Sequence, residues 1–356
     1  MRIPVVNRHA FQAAKDEIEY VLYLLSDDSW DIEFTRREGV PEPNREWPER
    51  DGSVLLFSGG LDSLAAAVNQ AESGEPTLLV SHDSGNPVID GSQQALAEYV
   101  SGLPGARIQH LPFRVRPQTG GGLTFPKKHE SSQRTRSFLF LTLAMLVARR
   151  EGRRRVIFIA ENGQMAIHLP LTAARLGGFS THTAHPEVVS VIQGIMSGLL
   201  GIDLSIHNPF LYMTKAEVVA GLCARHADAI EESVSCWRAS RVAGGHNHCG
   251  ECVPCLVRRI ALEINNVRQA DWGRDLLQEP IATLGEDDIG KRNLLELAEF
   301  AASFRPGVPN DQVNHKHPEL TSMYFDQNAA IAMYRRWAHE AEQVLNRYPN
   351  VVEVLR

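Results

Sequence analysis

The sequence predicts an α/β fold organised as a doubly wound parallel sheet, and three observations carry that prediction. From about residue 53, short apolar, β-branched runs alternate with helical patterns. Each helical pattern is long enough to form a right-handed crossover between parallel strands. The first strand ends in a glycine-rich turn that opens directly into a helix.

The predicted strands cover residues 54–57, 77–81, 107–113, 155–160 and 204–207, with helices over 63–73, 92–100, 136–149 and 187–200 between them. Ahead of this core, Phe11, Ile18, Val21, Leu22 and Leu25 repeat at helical spacing, and a short strand at 31–35 and a proline-rich turn follow. Residues 1–50 therefore read as an accessory cap, 51–265 as the main domain and 266–356 as a helical extension whose patterns centre on 293–304 and 326–345. The connection 114–133, rich in Gly, Pro and Lys, is long for a compact domain and reads as a lid or a disordered loop.

Composition narrows the function. With 356 residues, 43% of them hydrophobic and 22% charged, the chain has the make-up of an ordinary globular protein. A formal net charge of −7 argues against a protein whose main task is gripping phosphate backbones, so nucleic acid is not expected as a partner. The longest apolar run, 138–148, is too short to span a membrane, and the expected location is the cytoplasm. The five cysteines, four of them between Cys236 and Cys255, point to a metal site in a reducing compartment rather than to disulfides.

The run Ser58-Gly59-Gly60-Leu61-Asp62-Ser63 sits between a buried strand and a helix start. Two glycines let backbone approach an anion, and the helix's free amides with the two serine hydroxyls supply donors for phosphate oxygens. No Gly-Lys-Ser/Thr follows, so this is not the loop that serves terminal phosphoryl transfer. Asp62 beside a triphosphate requires a cation between the two, which predicts Mg²⁺. The bland alternative is a plain turn with Ser63 as helix cap.

Cys236, Cys249, Cys252 and Cys255 are separated by twelve, two and two residues, a spacing that lets a tight knuckle present four thiolates to one tetrahedral zinc. Four cysteines imply a closed, structural site, with an iron–sulfur cluster as the alternative. His246 and His248 are spare candidates beside it, and Cys223 reads as a small buried apolar residue.

The phosphate-loop run resembles the SGGxDS motif of the PP-loop ATP pyrophosphatases, which implies cleavage of ATP to AMP and pyrophosphate on Ser58, Gly59, Gly60, Leu61, Asp62 and Ser63, with His82 added to the nucleotide-binding set. Within that class, loop, internal helix and cysteine knuckle follow in the order of the 7-cyano-7-deazaguanine synthase family. Arg136-Ser137-Phe138-Leu139-Phe140-Leu141 is similar to that family's Arg-Asn-x-Leu-Phe-Leu helix, implying that Arg136 faces nucleotide. Asn208-Pro209-Phe210 through Lys215-Ala216-Glu217 is similar to its Thr-Pro-Leu-x-x-x-x-Lys-x-Glu stretch, implying that Lys215 lies near phosphate. The cysteine run through Arg258 is similar to the family's ending. Asp62, Ser63, Arg136 and Lys215 are the catalytic set this implies. Glu217 also reads as half of a capping box with Thr214.

The resemblance covers about residues 53–262 and breaks where the family binds its deazapurine. There the chain has Glu161, Asn162, Arg175 and His182, which become the substrate-binding candidates. The expected function is adenylation of 7-carboxy-7-deazaguanine or a close relative with ATP and Mg²⁺, then amide or nitrile formation with ammonia. Transfer to a protein amine, as in anti-phage homologues, is the second reading. A tRNA-modifying PP-loop enzyme and a non-enzymatic zinc-ribbon adaptor are further alternatives. The terminal extensions are expected to cap the site, form a homodimer interface or recruit a partner.

Overall fold

A computed structural model describes residues 1–39, 49–115, 134–157, 159–171, 184–269 and 271–355. The chain opens with β1 (Arg2–Val5), α1 (Arg8–Ala13), α2 (Lys15–Ser26) and β2 (Glu33–Arg36). The core follows as β3 (Ser53–Leu56), α3 (Leu61–Glu72), β4 (Thr77–His82), α4 (Pro87–Ser101), β5 (Ile108–Phe113), α5 (Arg136–Arg150), β6 (Arg155–Ile157), α6 (Gly163–Ile167), α7 (Pro186–Leu200) and β7 (Ser205–His207). Then come α8 (Lys215–Arg225), α9 (Ala227–Glu232), α10 (Val253–Ile264), α11 (Ile289–Ala302), α12 (Asn310–Lys316), α13 (Gln327–Leu345) and α14 (Pro349–Leu355).

The main sheet has the order β5-β4-β3-β6-β7 with every pairing parallel, so the doubly wound sheet expected from the sequence is present. The chain starts in the middle at β3, winds outward through β4 and β5, then crosses to β6 and β7. Successive strand residues take opposite faces. Val54, Leu78 and Val80 pack with α2, α5 and α7, while Leu55, Phe57 and Leu79 pack with α3, α4, α8 and α10.

Several boundaries differ from the sequence reading, that of α4 among them, and one strand is added. Helix α4 starts at Pro87 rather than 92, because Asn86 accepts a hydrogen bond from Val88 N at 3.1 Å and Pro87 is suited to a first helical turn. β1, unforeseen, pairs in parallel with β2, the strand expected at 31–35. The N-terminal helices settle on the outer side of α7, where Tyr20 Oη donates to Glu187 at 2.6 Å, and they share their core with the sheet. The C-terminal helices build a core of their own with α6 and α10, around Phe300, Phe304, Tyr334 and Trp337. Most of residues 114–133 lie outside the described residues. No helix among the described residues is long and apolar enough to cross a membrane.

Candidate active site

The winding direction reverses between β3 and β6, and in open parallel sheets ligands lie in the crevice at the carboxyl ends of the strands flanking such a point. The sequence places the phosphate loop after β3 and Glu161-Asn162 after β6, so the two segments face each other across that crevice. Gly59 has φ +79, and a Cβ there would stand 3.1 Å from Ser92 Oγ and 3.2 Å from Gln93 Cγ, so glycine is required. Gln93 Nε2 donates to Ser58 O at 3.3 Å, and Ser92 Oγ to Gly59 O at 3.3 Å, which holds the loop against α4. Gly60, not Ser63, occupies the cap position of α3, and Ser63 Oγ donates back to Gly60 O at 3.0 Å. The Ser58 and Ser63 hydroxyls lie 3.2 Å apart, and the first amides of α3, from Leu61 to Ser63, open toward the crevice as in anion-binding helix starts.

Behind the loop Asp62 forms a buried charge cluster. Lys215 Nζ donates to Asp62 Oδ2 at 2.9 Å with side chains only 10% and 7% exposed, and Asn162 Nδ2 donates to the same oxygen at 2.8 Å. Burying two charges is tolerable only when they are paired and hydrogen-bonded. Asp62 Oδ1 is buried and without a partner. An orphaned carboxylate oxygen costs free energy in the folded protein, so its presence at a ligand crevice fits a position for a cation.

Each partner is aimed by its own local structure. Thr214 caps α8, its Oγ1 accepting from Glu217 N at 3.2 Å while Glu217 Oε2 accepts from Thr214 N at 2.8 Å, so the capping box is formed and Lys215 is the first helical residue. Lys215 N donates to Gln164 Oε1 at 2.9 Å. Asn162 is fully buried and caps α6, its Oδ1 accepting from Met165 N at 3.3 Å. Asn162 thus ties the start of α6 to the Asp62 carboxylate. Glu161 lies beside the cluster, its carboxyl pushed up to about 7 by burial and by the Asp62 charge, with Lys215 pulling the other way.

His82 and Arg136 form a second group at the same sheet edge. The His82 ring lies 5.3 Å from the Phe140 ring, and the Arg136 guanidinium lies 6.0 Å from the Phe140 centroid. Burial pushes the Arg136 guanidinium down from its ordinary value. Arg175 and His182 lie outside the described residues.

The cysteine cluster closes one wall. The sulfur atoms of Cys236, Cys249, Cys252 and Cys255 all lie within 4.8 Å of one another and are buried. Cys236 Sγ is 4.0 Å from Cys252 Sγ, and Cys249 Sγ is 3.9 Å from Cys255 Sγ. Those separations exclude disulfides and match the edge of a tetrahedron with metal–sulfur bonds of about 2.3 Å, so the donor set fits zinc. His248 turns away from the sulfurs: its Nε2 accepts from Ser235 N at 3.3 Å. Cys223 is half-buried on α8, away from the cluster, and burial pushes its thiol up to about 11.

Some contacts of the site are not encoded locally, among them those of Arg258, which the sequence shows only as the end of the cysteine run. The fully buried Arg258 donates to Ser233 Oγ at 2.9 Å and to Ile230 O at 2.8 Å, fixing the strand of chain that leads into Cys236. That same strand donates from Val234 N to Gly59 O at 3.0 Å, so the cysteine knuckle is wired to the phosphate loop. An arginine three residues after the last cysteine is the signal the sequence offers. Gln164 and the C-terminal residues described below carried none.

Comparison with known proteins points to one family. Residues 133–266 match the family model for queuosine biosynthesis protein QueC. The 7-cyano-7-deazaguanine synthase of Paracoccus denitrificans is 26% identical over 253 residues, covering 64% of this chain and 97% of the relative. That of Rhizobium meliloti is 27% identical over 237 residues, covering 60% and 89%. The 7-cyano-7-deazaguanine synthase 2 of Desulfitobacterium hafniense is 26% identical over 225 residues, covering 58% and 86%. Sheet, loop, cysteine cluster and relatives point the same way: the chain is similar to QueC proteins of the PP-loop class.

Proposed function

We propose that the protein activates the carboxylate of 7-carboxy-7-deazaguanine, or of a close relative, by transferring AMP to it from ATP, and then passes the activated carbonyl to nitrogen. The observation that carries this reading is the buried Lys215–Asp62–Asn162 cluster directly behind a Gly-Gly loop at the switch point of the sheet. The similarity to proteins named 7-cyano-7-deazaguanine synthase supplies the substrate class.

In the chemistry proposed, a substrate carboxylate oxygen bonds to the α-phosphorus and the bond to the bridging oxygen of pyrophosphate breaks. Ammonia then displaces AMP, forming the C–N bond of an amide, and removal of water from the amide gives a nitrile. Ser58, Gly59, Gly60 and Ser63 hold the departing phosphates through hydroxyl and amide hydrogens. Lys215 and Arg136 offset the charge that builds on the leaving oxygen, an effect strengthened by their shielding from water. Asp62 with its free Oδ1 would hold Mg²⁺, which supplies Lewis-acid stabilisation of phosphate charge when bound. Glu161 at the sheet edge accepts hydrogen bonds from the guanine-like edge of the base. Zinc on the four cysteines would fix the strand that carries Val234 to Gly59, without a chemical step of its own. Reduced cysteines holding a metal, rather than disulfides, fit a cytoplasmic location.

The test is to incubate the protein with ATP, Mg²⁺, 7-carboxy-7-deazaguanine and ammonia and to follow nucleotide and base by mass spectrometry. AMP together with an amide or nitrile base is the expected result. AMP with no free amidated base points instead to a protein amine as acceptor. Absence of substrate-dependent AMP overturns the deazaguanine assignment.

A further inference from the structure

The family match ends at residue 266, yet the chain beyond it reaches back to the cluster. We propose that helix α13 is a positioning element of the active site, its Arg336 and Glu340 holding the first turn of α8 in the place that presents Lys215 to Asp62. The inference rests on the role given above to Lys215.

Lys215 is the first residue of α8, so its direction is set by the cap residue before it. α13 holds both members of that cap. Thr214 Oγ1, while accepting from Glu217 N, donates to Glu340 Oε1 at 2.7 Å. Glu217, while accepting from Thr214 N, takes two further bonds from the Arg336 guanidinium, at 2.6 and 3.2 Å. Arg336 Nη2 also donates to Tyr212 O at 2.8 Å, which fixes the chain just ahead of the cap. A capping box satisfies itself; one with every group also held from a second helix cannot rotate or slide along its axis.

The same helix reaches the other partner of Asp62. Tyr334 Oη donates to Gln164 O at 3.4 Å, and Gln164 is the residue whose side chain accepts from Lys215 N. Met333 packs so closely on the start of α6 that a Cβ on Gly163 would stand 2.8 Å from its Cε. α13 therefore braces α6 and α8 together, the two helices whose starts bring Asn162 and Lys215 to one carboxylate oxygen. Glu340 is further marked by burial, which pushes its carboxyl up to about 7, and by an Oε2 that is buried without a partner. A carboxyl retained under those conditions requires a reason, and the Thr214 hydroxyl provides it.

The test uses the full chain carrying Glu340→Leu, Glu340→Gln or Arg336→Met, with Lys215→Met as reference. AMP formation is measured as kcat and KM for ATP, the affinity for α,β-methylene-ATP by calorimetry, and folding by thermal midpoint and zinc content. Loss of positioning is expected to lower kcat by about 10–100-fold in Glu340→Leu and Arg336→Met, because small misplacements of a catalytic cation cost on that order. Glu340→Gln keeps an acceptor for the Thr214 hydroxyl and should stay within about threefold of the parent, since a neutral acceptor replaces the carboxyl at modest cost. Equal losses in Glu340→Leu and Glu340→Gln, or a kcat that drops only in proportion to the unfolded fraction, would overturn the inference. Lys215→Met inactive with Glu340→Leu and Arg336→Met at parental kcat would overturn it alone. Lys215→Met with parental AMP formation would overturn the functional reading together with it.

Discussion

Replacing Lys215 with Met tests whether the buried pair is a designed unit or an incidental contact. At 2.9 Å and an effective dielectric of about 20, the attraction between the Lys215 ammonium and the Asp62 carboxylate is about 6 kcal/mol before desolvation is subtracted. Removing one partner strands the other charge among Leu61, Leu64 and Asn162, all fully buried or nearly so. Lys215→Met and Asp62→Asn should each therefore destabilise the protein by about 3–5 kcal/mol. In the double variant neither member of the pair is left stranded without the other, so its loss should fall short of the sum by about 2 kcal/mol or more. The assay is urea unfolding followed by tryptophan fluorescence, with AMP formation measured on the same samples. Stability should return in part in the double variant while AMP formation stays at least about 10²-fold down, since catalysis requires the cation itself. Strict additivity of the two single changes would refute the argument, because it would mean that the groups do not sense each other.

Other consequences follow from separate parts of the structure. Gly163→Ala places a Cβ 2.3 Å from Leu211 O and 2.8 Å from Met333 Cε, and overpacking of this kind should cost about 1–3 kcal/mol, read as a lowered urea midpoint. Chelation of metal, or Cys255→Ser, should loosen the chain leading to Val234 and release the phosphate loop; metal analysis should find zinc lost in step with AMP formation and with protection of the Gly59 region from hydrogen exchange. Glu340 titrates in the folded protein at about 7, above its ordinary value of 4.5, so the folded state binds the proton more tightly. Stability should accordingly decline as pH rises from about 4.5 to about 7, and Glu340→Gln should flatten that part of the profile.

The parts of this structure that were legible in the sequence are those encoded locally. Strand, loop and helix start are contiguous from Val54 to Ala67, the cysteine knuckle falls within twenty residues, and the Thr214–Glu217 capping box spans one turn. What escaped notice depends on contacts between distant segments. Asp62 and Lys215 are 153 positions apart, and nothing in either neighbourhood announces the other. Resemblance placed Lys215 near phosphate, but only the fold shows it paired with the carboxylate. Arg336 and Glu340 sit on a helix whose apolar spacing predicts a packed face, but sequence alone does not reveal which side of α13 meets α8. The early start of α4 is readable from Asn86 and Pro87; the apolar repeat alone places it five residues too far along.

The distance in sequence between Asp62 and Lys215 also bears on the order of events during synthesis. A growing chain that has delivered β3 to β5 already owns the phosphate loop, yet it lacks Lys215, the cysteine knuckle and the brace from α13. Contacts of such long separation close late, after the cost of ordering the intervening chain has been met. Until then Asp62 has neither its cation nor its neighbour Asn162, and the loop lacks the Val234 bond that steadies it. In the reaction proposed, a site able to act on ATP is therefore complete only when nearly the whole polypeptide has been laid down.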